Sequence, residues 1–256
     1  MLTIRSVLSI RDGKRVMKQQ AFDHFRLPTR IINLPHDSKN NMRKTLEFLQ
    51  SLQENNNASW FLDHIGDYER AKAELDDLAY ALVTKLTDFD DMISSDIDNA
   101  RFISSLTIPK PRKKQIYYSH FEIAISPLSN GGNEPLYLVH FDPDGSYFSI
   151  RYDPDVFGIQ VMRSYLTKNL TELESILAQL GKLTAFELNT DSAKGPLPKG
   201  YQPGVPGERF LKLTSYEIRW PLPDLNLKIP KLAEAISAEF QKAYPFILFL
   251  RKGLGL

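Results

Sequence analysis

The period of the apolar residues changes twice along this chain, and that change limits the fold more than any other feature of the sequence. From Leu46 to Leu86 apolar side chains recur mostly three or four residues apart: Leu46 and Leu49, then Phe61, Ile65, Tyr68, Leu75, Leu78, Leu82 and Leu86, with Asp and Glu between them. That spacing predicts one helix over 43–52 and a long amphipathic one from about Ala58 to Leu86. From Tyr117 the period falls to two, with Phe121, Ile123 and Ile125 alternating with Ser119, Glu122 and Ala124. Further strands are predicted over Leu136–Phe141 and Ser146–Tyr152, with turns at Asn130-Gly131-Gly132-Asn133 and Asp142-Pro143-Asp144-Gly145. Helical spacing resumes after Asp155. Asn169 is placed to cap Leu170-Thr171-Glu172, and Gly181 to end that helix. After a Pro- and Gly-rich stretch over 190–207, a fourth strand is expected over Leu211–Trp220. Pro230 suits the first turn of a closing helix that Pro245 should kink or end. Helices lead, strands group, helices return. The expected class is α+β: an antiparallel sheet of about four or more strands packed against N-terminal and C-terminal helices.

Asn55-Asn56-Asn57 divides the first two helices. Asn side chains compete for backbone hydrogen bonds, so three in a row stop a helix, and Asn57 is placed to cap the next. Trp60-Phe61 then enters the core in its first turn.

Charge divides the chain differently. Residues 1–41 carry Arg5, Arg11, Lys14, Arg15, Lys18, Arg26, Arg30 and Lys39 against Asp12, Asp23 and Asp37. They read as a basic, poorly packed extension to a single α+β domain over 42–256. The extension has three readings: an organelle transit peptide, a tail, or sequence upstream of a start at Met17 or Met42 rather than Met1. No Cys occurs, which removes disulfides, thiolate metal sites and Cys nucleophiles. No apolar run could span a bilayer. A soluble protein of the cytoplasm is expected, or of an organelle matrix if 1–41 is a transit peptide. The net charge of +1 counts against nucleic acid as a partner, and no feature specifies an oligomeric state.

Leu46-Glu47-Phe48-Leu49, the Asn run with Trp60-Phe61, Tyr68, Tyr117, His120-Phe121, Pro198-Lys199-Gly200-Tyr201 and the strand from Leu211 to Tyr216 ending in Pro221-Leu222 come in an order that resembles one family. It is the mostly bacterial family called domain of unknown function 2461, and the resemblance covers roughly residues 43 to 252. It implies no established activity. The family signature is Arg-x-x-Arg-Asp-x-Arg-Phe followed by Asp-Lys-x-x-Tyr. Arg101-Phe102, Lys114 and Tyr117 match it. Asp98, Asn99, Lys113 and Ile116 depart from it, and residues 104–111 form an insertion. Family members begin just before the first helix, which again points to Met42.

The Arg101–His120 segment is the best candidate site. Arg101, Lys110, Arg112, Lys113 and Lys114 precede Tyr117, Tyr118 and His120. Arg offers a planar fork and Lys a point charge to phosphate or carboxylate. The alternative is a solvated basic loop leading into a strand. The leading function is binding of an anionic small molecule or partner, with Arg101, Lys114, Tyr117 and His120 as ligand contacts. The competing function is an enzyme on a phosphorylated or carboxylated substrate, with His120 or Tyr117 as acid–base. Nucleic-acid binding is the weakest reading. His120 and His140 lie on neighbouring predicted strands and could meet, with Glu122 or Asp142 nearby, as half of a metal site or an acid–base pair. A structural role for both is the commoner outcome, so no metal ligand is assigned. His64, with Trp60 and Tyr68, reads as packing. No phosphate loop, dinucleotide fingerprint, nucleophile elbow, His-Glu-x-x-His or EF-hand motif occurs, so no cofactor is assigned.

Overall fold

The computed structural model describes residues 41–94, 96, 101–104, 106–112, 115–127, 133–222 and 228–256, without the side chains of 101, 102, 107–112, 115 and 194. Residues 1–40 of the basic extension, Lys114 and the Asn130–Gly132 part of the expected turn lie outside the described residues. Helices α1 (Arg43–Glu54), α2 (Ala58–Asp63) and α3 (Ile65–Leu86) come first. Strands β1 (Arg101–Ile103), β2 (Thr107–Arg112), β3 (Gln115–Tyr117), β4 (Phe121–Ile125), β5 (Leu136–Phe141) and β6 (Tyr147–Tyr152) follow. Then come α4 (Val156–Leu183), β7 (Glu187–Leu188), α5 (Glu208–Leu211), β8 (Tyr216–Pro221), α6 (Ile229–Lys242) and α7 (Tyr244–Leu254). The class is α+β. One antiparallel sheet runs β1-β4-β5-β6-β8-β7, and β2-β3 forms a separate ribbon. No described helix is long and apolar enough to cross a membrane.

Strand alternation gives the sheet two unlike faces. Phe121, Ile123, Ile125, Val139, Phe141, Phe148, Ile150, Ile218 and Trp220 are buried on one. Helices cover it: Phe48 of α1 reaches Phe121, and Phe240 of α6 packs against Tyr137, Phe148 and Trp220. The other face carries Glu122, His140, Tyr147, Ser149, Arg151, Glu217 and Arg219, in register across four strands.

Several local expectations are corrected. The long helix from Ala58 is two helices, broken at His64 (φ −114°, ψ 22°), whose ring Nδ1 lies 2.8 Å from the Trp60 carbonyl and competes with the backbone ladder. Trp60 and Phe61 are half-buried, packed on the rim of the core rather than within it. The alternative of a basic loop gives way over Arg101–Ile103 and Thr107–Arg112 to strands, the second paired with a register shift. Arg101–Ile103 add a strand to the β4 edge, and Pro109 and Pro111 sit in the two-stranded ribbon, where a missing N–H is tolerated. Asn169 (φ −126°, ψ 24°) leaves the helical region and divides α4 into two helices that meet at a kink, so a helical segment does begin after it as expected, while its Nδ2 donates back to the Tyr165 carbonyl at 2.9 Å. Gly181 lies within α4, which runs on to Leu183 because the glycine's site is helical and Thr184 closes the ladder onto Leu180. The fourth strand starts at Tyr216, since Arg163 takes the carbonyls of Leu211 and Leu213 at 2.8 and 3.2 Å. Pro230 opens α6 as expected, and Pro245 opens α7 where α6 stops.

The Asn run does more than stop a helix. Asn57 caps α2 by accepting from Trp60 N at 3.0 Å. Asn56 behaves as a piece of strand: its Oδ1 accepts from Ile116 N and Tyr117 N, and its Nδ2 donates to Tyr117 O, each at 2.8 Å. This ties the α1–α2 turn to β3. Asn56→Ala should lose about 1–3 kcal/mol, because partly buried backbone groups of β3 lose their partners; chemical denaturation measures it, and an unchanged midpoint would show that water replaces the amide.

Candidate functional site

The polar face of the sheet gathers the titratable side chains. Across it runs a row of rings in contact: Tyr118 to His120 (5.2 Å between centroids), His120 to His140 (4.8 Å), His140 to Tyr147 (4.7 Å, stacked), and the Arg219 guanidinium 4.5 Å over Tyr147. Alternation explains the row. Glu122 pairs with His140 and His140 with Tyr147, so all three stand on the face opposite the core.

Ion pairs lace this row. Glu122 Oε1 lies 3.2 Å from His140 Nδ1 and 3.6 Å from Arg151 Nη1. Asp142 Oδ2 lies 3.7 Å from His140 Nε2. Glu217 Oε2 accepts from Arg219 Nη2 and Asn189 Nδ2, each at 2.7 Å. Burial pushes the Glu122 carboxyl up, but the His140 hydrogen bond and the Arg151 charge outweigh it and hold the group below its usual range. Burial, reinforced by neighbouring His140, pushes the His120 imidazole down despite Glu122 and Asp142. Burial also lowers the Arg219 guanidinium, and the Glu217 hydrogen bond more than restores it.

Some donors on this face are not used up. Ser149 Oγ, Arg151 Nε, Arg219 Nε and the acceptor Glu217 Oε1 are buried without a hydrogen-bond partner among the described residues. Arg151 Nε is 2.8 Å from Asp153 Oδ2, an ion pair whose N–H is not aligned for a hydrogen bond. Ser149 pairs with Arg219 and Arg151 with Glu217, so the four atoms belong to two adjacent rungs of β6 and β8. Buried polar atoms are normally satisfied, which makes such a concentration notable.

Lys114 lies outside the described residues, and the others singled out from sequence stand on different elements. His120 joins the ring row. Tyr117 stacks on Phe61 (4.4 Å) and belongs to the aromatic cluster under α2. Arg101 pairs with Ile125, at the far end of β4 from His120. Sequence reasoning brought His120 to His140 and Glu122, but missed Tyr147, Ser149, Arg151, Glu217 and Arg219. The signal was present: in Tyr147–Arg151 and Glu217–Arg219 polar residues alternate with buried apolar ones. Two clefts lie elsewhere. One of about 470 Å³ is lined by Lys44, Phe48, Trp60, His64 and Arg70, and one of about 510 Å³ by α1 and the β5–β6 turn. Neither includes a residue of the ring row.

A family model described as conserved hypothetical protein (DUF2461) matches residues 44–249. No curated protein and no solved structure matches the chain.

Proposed function

The chain belongs to the conserved hypothetical protein family DUF2461, a family without an assigned activity, and from that premise we propose that it is a binding domain whose site is the polar sheet face and whose ligand carries a carboxylate or phosphate. The observation that carries this reading is the group of buried donors on β6 and β8, namely Ser149 Oγ and Arg219 Nε, which have no hydrogen-bond partner among the described residues, with the Arg151 guanidinium, ion-paired to Asp153, on the next rung. Two guanidinium N–H groups and a hydroxyl suit the oxygens of an oxyanion. The Arg151 and Arg219 side chains are 24% and 30% exposed, so part of each is open to solvent although the Nε atoms themselves are buried. Tyr147 and His140 offer ring faces beside them.

Thermal shift in EDTA-containing buffer tests this, with inorganic phosphate, sugar phosphates and dicarboxylates as probes. A ligand at about 100 times its dissociation constant adds roughly 2.7 kcal/mol. Arg219→Met and Ser149→Ala should each abolish most of that shift. If no anion stabilises the protein, or the variants respond like the parent, the reading is wrong.

An enzyme acting on such a ligand is the second reading. One observation favours it: His140 stands between two carboxylates, Glu122 and Asp142, as an acid–base imidazole would. Turnover of chromogenic phosphate or carboxylate esters that disappears in His140→Ala would support it; absence of turnover across the panel would leave binding alone.

A further inference from the structure

We propose that His120, Glu122 and His140 form a binding site for a divalent transition-metal ion, zinc being the best fit, on the polar face of the sheet. One donor atom from each of the three lies within 4.8 Å of the others. Two imidazoles and a carboxylate match the ligand preferences of zinc and its first-row neighbours, whereas calcium and magnesium prefer oxygen alone.

The detailed geometry fits better than the cluster alone would require. Bonds of about 2.0–2.1 Å in a tetrahedral shell separate neighbouring donors by about 3.4 Å. His140 Nδ1 and Glu122 Oε1 already stand 3.2 Å apart. His120 supplies the third side, with a donor atom within 4.8 Å of the other two and its ring 4.8 Å, centroid to centroid, from that of His140. With Nδ1 on the metal, His140 Nε2 has the Asp142 carboxylate 3.7 Å away, an ion-pair distance slightly longer than a hydrogen bond. A carboxylate behind a ligating imidazole fixes its tautomer and raises its basicity. Asp142 is the residue placed to take that positioning role once the metal draws the imidazole in. The two strands are paired along their full length, so Glu122 and His140 sit opposite each other by register rather than by loop conformation. The site is within reach of solvent, with side-chain exposures of 13% for His140 and 25% for Glu122.

The inference goes beyond the anion reading and strengthens it. Around the ring row Glu122 and Asp153 stand against Arg151, Glu217 against Arg219, and Asp142 against His140. A dication supplies the positive charge that these carboxylates offset. Three protein donors leave coordination positions for water or a ligand oxygen.

The test is zinc titration of the full chain, stripped with EDTA and dialysed into a non-chelating buffer, by calorimetry. One tight site is expected. His140→Ala and His120→Ala should each weaken it by at least about 100-fold, more than the roughly 10–100-fold that an orienting partner such as Asp142 costs in Asp142→Asn. Circular dichroism and melting establish that each variant is folded. Should the alanine variants unfold, the parent protein still decides the matter: bound cobalt should shift and broaden the ring resonances of His120 and His140 and leave His64 unaffected. Absence of zinc binding, folded variants that bind like the parent, or cobalt effects centred on other histidines would overturn the site. Because anion binding is measured in EDTA, its presence or absence there judges the anion reading separately.

Discussion

Arg251→Ala should destabilise the protein by about 3–5 kcal/mol, because it leaves a charged carboxylate alone in the core. Arg251 and Asp90 are 1% and 0% exposed, and their Nη1 and Oδ1 are 2.8 Å apart. Tyr137 OH donates to the other carboxylate oxygen at 2.8 Å, and Met92 N to Oδ1 at 3.2 Å. Burial and the Asp90 charge together push the Tyr137 phenol up, so it remains a donor at any ordinary pH. The network fastens α7 to the turn after α3 and to β5. Removing the guanidinium strips Asp90 of its countercharge while Tyr137 remains. Denaturant unfolding should show a lower midpoint at unchanged slope. Replacing both charges by apolar groups, Asp90→Leu with Arg251→Met, should cost less than the single change, since no buried charge is stranded. A single variant within about 1 kcal/mol of the parent would mean that the pair is solvated in solution.

Phe48→Ala should cost about 3–5 kcal/mol, the range for a buried aromatic. Phe48 is 4% exposed and stands at the centre of a ring cluster, 5.9–6.5 Å from Tyr68, Trp60, Phe61 and Phe121. It is the point where α1, α2, α3 and β4 meet. Trp60→Ala should cost clearly less, because Trp60 is half-buried on the rim of a cleft. Comparing denaturant midpoints of the two variants tests the assignment; a larger loss at Trp60 would reverse it.

That reversal of rank shows what the sequence conveys. Trp60-Phe61 stands out because it is a large aromatic pair at a helix start, whereas Phe48 is one apolar residue in a helical stripe. Local determinants were legible: the Asn57 cap, the prolines at 230 and 245, the period of two in β4, and the turn that separates β5 from β6. Pairings between distant residues were not. Asp90 and Arg251 are 161 residues apart, and nothing in either segment announces the other. Short elements such as β1 and β7 carry too few residues for a period to show. His64 and Asn169 break helices through side-chain contacts to the backbone four residues earlier, which their identity permits but does not dictate. The candidate site lies between these cases. Alternation brought His120, Glu122 and His140 to one face, but the order of the strands, with β8 beside β6, was needed to add Glu217 and Arg219.

The central claim is that the polar face of the sheet, rather than the clefts beside α1, is where this protein meets its ligand. Amide chemical-shift mapping with inorganic phosphate as the probe tests it most directly. The largest perturbations should fall on Glu122, His140, Tyr147, Ser149, Arg151 and Arg219, and should vanish in Arg219→Met. Perturbations centred on Lys44, Trp60, His64 and Arg70 instead would contradict the claim and move the site to the cleft between α1 and α3.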